Sequence, residues 1–181
     1  SKTFTFSCLV YVDERNNAYY LYSVGSTTLG FHIYVQNGYI VTVQLRDSAN
    51  TAIGNVAYDG LVGFAKNTWI NIIVSSNVDD FVASSKMSVN DKVVTTTNTL
   101  YNALAINFTE PSKVGRYFDG SQISFKGRLS NLFLDYTYRD LSIEANRRLF
   151  ITAEGKPADA SGLNPILYLP MTDASTAHIN S

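Results

Sequence analysis

From Phe4 onward the chain alternates. Phe4, Phe6, Cys8, Val10 and Val12 share one face of an extended segment, with Thr5, Ser7, Leu9 and Tyr11 on the other. That is the period of a strand, whose successive side chains point to opposite faces. Tyr19 to Val24 reads as a second strand. Phe31-His32-Ile33-Tyr34-Val35-Gln36 and Tyr39-Ile40-Val41-Thr42-Val43-Gln44-Leu45 flank Asn37-Gly38. This dipeptide predicts a hairpin on a two-residue type I′ turn, because both of its residues tolerate positive φ. Trp69 to Val74 is an apolar-rich run that suits a strand covered on both faces, with Trp69 expected in the core, where truncation to alanine costs about 3–5 kcal/mol. Lys86-Met87-Ser88-Val89 and Lys92-Val93-Val94-Thr95 around Asn90-Asp91 predict a second tight hairpin. Leu129 to Tyr138, entered through Gly127, is the last long strand of this block. The stretches Ser48 to Asp59, Ser75 to Asp80, Thr95 to Asn102 and Asp119 to Ser124 are rich in Ser, Thr, Asn and Gly and read as loops.

One segment carries helix signals. Ser142 stands where a cap can accept from free backbone N–H groups, and Glu144 in the first turn suits the helix dipole. Arg147 and Arg148 suit the other end, and Gly155 with Pro157 prevents continuation; the helix is placed at about residues 143–151. Ile166-Leu167-Tyr168-Leu169 returns as a final strand, at about 166–170. Many short strands, Gly/Asn turns and one short helix predict an all-β fold: an antiparallel two-sheet jelly-roll sandwich with one short helix in its C-terminal region. No fixed-period repeat, low-complexity block or linker-like shift interrupts residues 1–181, so one domain is expected end to end.

Composition narrows the function classes. Of 181 residues, 45 % are hydrophobic and 16 % charged, which excludes a disordered tail. Lys and Arg total 14 and Asp and Glu 15, a balance that argues against a nucleic-acid partner. No apolar run approaches the roughly 18 residues of a membrane helix. The single cysteine, Cys8, excludes an internal disulfide framework, and the opening stretch has no apolar core of the length a secretion leader needs.

Trp69-Ile70-Asn71-Ile72-Ile73-Val74 precedes the Met87-to-Val94 hairpin. Lys113-Val114-Gly115 follows, then Phe125-Lys126-Gly127-Arg128-Leu129-Ser130-Asn131-Leu132-Phe133-Leu134, and the series closes on Asp140-Leu141-Ser142-Ile143-Glu144. This order resembles the laminin-G-like or pentraxin-like branch of the concanavalin A-like jelly rolls. In that branch a W-x-x-I strand leads to a pair around a V-N-D turn. An I/V-G strand, an F-x-G-x-I/L-S-x-L strand and a D/A-L-S-x-E helix start follow. The match covers roughly residues 3 to 151. The tail from Phe150 to Pro170 looks like an extension of such domains in bacteria and in virion proteins of bacteriophages. The resemblance implies a non-catalytic module that binds glycan or protein, often with calcium at the sandwich rim. It further implies a place on a virion or cell surface, within a larger assembly or a homo-oligomer.

Candidate chemistry follows the same lines. Nucleophilic catalysis needs a base beside the nucleophile, and the two histidines, His32 in the first hairpin and His178 near the end, accompany no Gly-x-Ser-x-Gly elbow. A glycoside hydrolase needs two facing carboxylates. The four glutamates, Glu14, Glu110, Glu144 and Glu154, do not form the E-x-D-x-x-E strand of hydrolytic relatives, so an enzyme is not expected. Arg128, Arg139, Arg147 and Arg148 read first as a helix end partnered by Asp135, Asp140 and Glu144, and second as a surface for an anionic glycan. Tyrosine joins an apolar face to a hydroxyl and suits sugar stacking; Tyr34, Tyr39, Tyr58 and Tyr117 are the candidate ligand-binding residues, with cross-strand pairing as the alternative. A rim Ca²⁺, which takes six to eight oxygens, would draw on Asp79 or Asp80 with a second loop's carboxylate, Asp59 or Asp119. The alternative is that Asp79 and Asp80 only cap a turn.

Overall fold

The computed structural model describes residues 1–12, 19–25, 29–36, 40–60, 68–116, 125 and 127–171. Its strands are β1 (Thr3–Val12), β2 (Tyr19–Gly25), β3 (Leu29–Gln36), β4 (Ile40–Arg46), β5 (Ala52–Asp59), β6 (Trp69–Asn77), β7 (Lys86–Val89), β8 (Lys92–Val94), β9 (Thr97–Leu100), β10 (Ser112–Val114), β11 (Gly127–Asp135) and β12 (Leu167–Leu169). Two short α-helices, α1 (Phe81–Ser84) and α2 (Glu144–Arg148), and two single-turn 3-10 helices, Val78–Asp80 and Ser161–Leu163, complete the regular elements described. The strands form two six-stranded sheets, β12-β11-β1-β6-β7-β8 (sheet A) and β10-β2-β3-β4-β5-β9 (sheet B). Every pairing is antiparallel. The architecture is the expected antiparallel sandwich.

The alternation in β1 sets the core. Phe4, Phe6, Cys8 and Val10 are buried between the sheets with Phe31, Ile33, Val41, Val43 and Leu45 of sheet B. The other face of β1 and β6 is covered too. Leu141, Phe150, Ile151 and Ala160 pack on Ile73 and Phe133 to make a second cluster on the outer side of sheet A. Residues 70–76 are therefore buried on both sides, as the apolar run requires. Trp69 is the exception: it stands at the strand's exposed end, with 43 % of its surface accessible. Its removal opens no core cavity, which corrects the expectation of a costly truncation.

One end of the sandwich carries Ser1, Asn77, Arg46 and Ala52. Ile106 N donates to Ser1 O (2.7 Å) and Asn107 N to Arg46 O (2.9 Å), so segment 106–107 ties the two sheets at this first rim. The fit is close. A Cβ on Gly30 would sit 2.1 Å from Asn107 O, so glycine there is what lets the segment approach. Tyr11, Trp69, Gly127, Tyr19 and Asp59 mark the second rim, where Tyr19 meets Phe125 edge-on at 6.1 Å.

Several expectations are refined. The second hairpin forms as predicted, with Asn90 (φ 48°) and Asp91 (φ 66°) both left-handed between Val89 and Lys92, the type I′ signature. In the first hairpin, Gln36 pairs with Ile40, which leaves three residues in the connection rather than two; the connection itself lies outside the described residues. The polar phases explain the register. A two-residue turn would set His32 against Val43, whereas the observed one sets His32 against Gln44 and Ile33 against Val43. Segments 52–59 and 97–100, read as loops, are strands β5 and β9. Their propensities are weak, but β4 supplies a hydrogen-bonding edge, and Gly54 leaves room for Phe81 and Thr99, whose atoms would lie 2.8 and 2.7 Å from a Cβ there. Ser142 does not cap α2. Its Oγ donates to Asp140 Oδ1 (2.7 Å), and Ile143 occupies the cap position without a side-chain bond.

Candidate functional site

Polar residues of the alternating strands in sheet B point away from the core. One row runs across all six strands at matched register: Lys113, Ser23, His32, Gln44, Asn55 and Thr99. Beside it lie Tyr20, Tyr34, Thr42, Ala57 and Thr97. Three rings of these rows cluster, with His32 stacked on Tyr34 and Tyr20 tilted against both. Tyr20 and Tyr34 have centroids 5.2 Å apart, and His32 lies 5.7 Å from Tyr34 and 5.8 Å from Tyr20.

Gln44 links this stack to an indentation. Its Oε1 accepts from His32 Nε2–H (2.7 Å), and its Nε2 donates to the Tyr34 hydroxyl (3.2 Å), so both ends of the amide are held. On the far side Gln44, Leu45, Arg46, Ala52, Asn55 and Tyr101 line a depression of about 250 Å³. Tyr101 is 56 % exposed, and Asn55 Nδ2 donates to its hydroxyl at 3.4 Å. Arg46 Nη1 donates to Asn50 O (2.9 Å). Its Nε is buried without a partner, a donor whose hydration is lost and not replaced. An exposed ring, two amides and a guanidinium thus converge on one hollow. Such a set can stack a sugar ring and bind its hydroxyls.

Burial shapes the electrostatics. His32 is almost wholly enclosed, and desolvation lowers its pKa to about 4, aided by the charge of Arg46 and opposed by the Gln44 bond. It is a neutral imidazole at neutral pH. Burial also pushes the Tyr34 hydroxyl above its ordinary value, against a bond with Thr42. Between about pH 6.5 and pH 4 the unfolded chain takes up a proton at His32 that the folded chain refuses, so stability falls as pH falls through that window. Urea unfolding at pH 7 and pH 5 is expected to show a smaller loss for His32→Gln than for the parent; equal losses would remove His32 from the account.

Of the tyrosines chosen from the sequence, Tyr34 belongs to this face. Tyr58 does not. It pairs with Val41 on the inward register and packs half-buried against the core, because β5, unrecognised as a strand, turns alternate residues inward. Tyr39 and Tyr117 lie outside the described residues. Gln44, Arg46, Asn55 and Tyr101 were missed, although the i, i+2 spacing of Thr42, Gln44 and Arg46 already marks the polar face of β4.

The aspartates named for calcium are not brought together. Asp79 lies at the first rim, where its Oδ1 accepts from Lys2 Nζ at 2.6 Å and its backbone N donates to Asn77 Oδ1 at 3.1 Å. Asp80 precedes α1 and makes no side-chain cap bond. Asp59 pairs with Ile40 at the second rim, separated by the length of β5, roughly 26 Å at about 3.3 Å per residue. Asp119 lies outside the described residues. Among the described residues no group of three or more His, Cys, Asp or Glu side chains is placed to hold a metal ion. The expected partnering of the arginines is met in part: Asp140 is taken by Lys86 instead, and Arg128 lies over the Tyr11 ring with no carboxylate partner among the described residues. Arg139 pairs with Asp135, Arg148 with Glu144, and Arg147 and Arg148 both with Asp91 of the second hairpin.

No protein-family model matches the sequence, and no curated protein sequence matches it. Solved structures do. The carbohydrate-binding module CBM40 of the Ruminococcus gnavus IT-sialidase, bound to α2,3-sialyllactose, superposes with a TM-score of 0.56 at 14 % identity, over 80 % of this chain and 81 % of that one. A candidate carbohydrate-binding protein from Bacteroides ovatus gives 0.61 at 13 % identity, over 94 % of this chain and 46 % of its own length. The heptameric SAP-like pentraxin of Limulus polyphemus gives 0.56 at 13 % identity, over 82 % and 69 %. At such identities the likeness is one of fold alone, an antiparallel two-sheet sandwich.

Proposed function

We propose that the chain is a non-catalytic carbohydrate-recognition module that holds sugar on the outer face of sheet B. The observation that carries this reading is the depression beside Gln44, where the exposed Tyr101 ring, the Gln44 and Asn55 amides and the Arg46 guanidinium meet. The ring offers its face to sugar C–H groups. The amides present donors and acceptors to vicinal hydroxyls, and the Arg46 guanidinium adds further donors at the hollow. Its volume of about 250 Å³ suits one or two sugar units. His32 and Tyr34 act behind this surface by fixing the Gln44 amide. The shared fold of the CBM40 module and the pentraxin supports the reading. Placement of the module in a larger cell-surface or virion assembly is part of the same proposal.

A glycan array probed with the purified chain tests it. Binding to a defined set of glycans is expected, weakened about tenfold by Tyr101→Ala, equivalent to roughly 1.4 kcal/mol. Absence of any bound glycan would overturn the reading. An array repeated in chelator examines the calcium-dependent lectin alternative: binding that survives chelation sets it aside. A reducing-sugar assay on bound glycans is expected to show no release.

A further inference from the structure

The outer face of sheet A is sealed only in part. Leu141, Phe150, Ile151 and Ala160 cover its middle, and the seal ends at a tight turn in which Thr152 N donates to Lys156 O (2.7 Å) and Gly155 N to Thr152 O (3.0 Å). Between this turn and the strands lies a cleft of about 310 Å³ lined by Leu9, Trp69, Ser130, Gly155, Lys156 and Pro157. Strand register explains its floor. Trp69, Tyr11 and Arg128 stand side by side on β6, β1 and β11, and Asn71, Leu9 and Ser130 form the next row.

Three features of this corner are unexplained by folding. Trp69, the chain's single tryptophan, is 43 % exposed. It leans on Tyr11 with centroids 5.5 Å apart, and the Arg128 guanidinium lies 4.2 Å from the Tyr11 centroid. Arg128 and Lys156 have no carboxylate partner among the described residues, whereas Lys2, Lys86, Arg139, Arg147 and Arg148 all do. Next to Leu9, the Asn71 side-chain amide is buried with neither its nitrogen nor its oxygen hydrogen-bonded. An aromatic platform flanked by two cations that have no carboxylate partner among the described residues is suited to a ring that is apolar on its face and anionic at its edge.

We propose that this cleft is a second binding site, on the opposite sheet from the first, for a carboxylated sugar of the uronate type. The pyranose face rests on Trp69. The carboxylate is met by Arg128, whose guanidinium can donate two parallel bonds, and by Lys156. The Ser130 hydroxyl donates to Pro170 O at 3.0 Å, which leaves its oxygen free to accept from a sugar hydroxyl. A neutral sugar would offer these two cations no counter-charge. The site does not depend on the sheet B reading, and together the two sites make the module bivalent.

Because Trp69 is the sole tryptophan, its fluorescence reports this cleft alone. The intact chain is titrated with trigalacturonate, and with maltotriose as the neutral control, at matched ionic strength. A saturable change in emission is expected with trigalacturonate and none with maltotriose. Arg128→Gln and Lys156→Gln are each expected to weaken binding at least fivefold, and Tyr101→Ala to leave it unchanged. Calorimetry on Trp69→Ala, with its melting point recorded, is expected to show lost heat in a folded protein. An unchanged emission, an equal response to maltotriose, or undiminished binding by Arg128→Gln would overturn the assignment. Loss of array binding by Tyr101→Ala with the trigalacturonate response intact supports two separate sites, and a silent array with that response intact defeats the sheet B reading alone.

Discussion

Phe31→Ala is expected to destabilise the fold by about 3–5 kcal/mol, the range for emptying a buried phenylalanine site. Phe31 is fully enclosed between the sheets. Its ring lies 5.0 Å from Phe4, 5.4 Å from Phe108, 6.0 Å from Tyr22 and 6.1 Å from Phe6. These neighbours come from β1, β2 and segment 106–108, each anchored by its own backbone bonds, so none can collapse fully into the space. For a chain of this length each kcal/mol shifts the melting point by roughly 2–4 °C, and a fall of about 6–20 °C is expected by calorimetry. A fall under about 2 °C would show that the site refills and that the sheets are not locked through this ring.

The second large effect is electrostatic. Arg139 Nη1 donates to Asp135 Oδ1 (2.8 Å) and Nη2 lies 2.7 Å from Oδ2, an ion pair whose side chains are only 11 % and 5 % exposed. Asp135 Oδ1 also accepts from Thr137 N (3.1 Å), and Arg139 N donates to Ser75 Oγ (2.9 Å). The guanidinium lies 5.7 Å from the centroids of both Phe133 and Phe150. The pair therefore fixes the chain where it leaves β11 to cross the outer face of sheet A. Asp135→Asn strands a buried guanidinium, and breaking one partner of such a pair costs about 3–5 kcal/mol. Asp135→Leu combined with Arg139→Met is expected to recover a large part of that loss, since no charge is left unpaired. A double variant no more stable than Asp135→Asn would mean that the crossing depends on the ion pair itself rather than on charge balance.

The extent to which the sequence is legible differs between strands and site. Strands β1, β3, β4 and β6 announce themselves because each buries one or both faces by its own alternation or apolar run. The Asn90-Asp91 turn is readable because positive φ at two successive positions selects few residues. Local signals failed where a neighbour supplies the reason for order. β5 carries Gly54 and Asn55 and becomes a strand because β4 and β9 flank it, and Tyr58 faces inward as a consequence. Trp69 ends the most apolar run in the chain and still stands in solvent, because the covering segment turns back at Gly155 before reaching it.

What the sequence determined by itself is therefore the period of each strand, and with it the class of fold and the separation of an inward apolar face from an outward polar one. Which outward residues meet was decided by tertiary structure. Gln44 touches His32 and Tyr34 through the three-residue offset of one hairpin, and Tyr101 reaches Asn55 across the β5–β9 edge. Tyr11 stands between Trp69 and Arg128 in sheet A, although it is 58 positions from the first and 117 from the second in the chain. Alternation is a property of neighbouring residues and is written locally; register and sheet order depend on contacts between distant segments, whose energies no single segment contains.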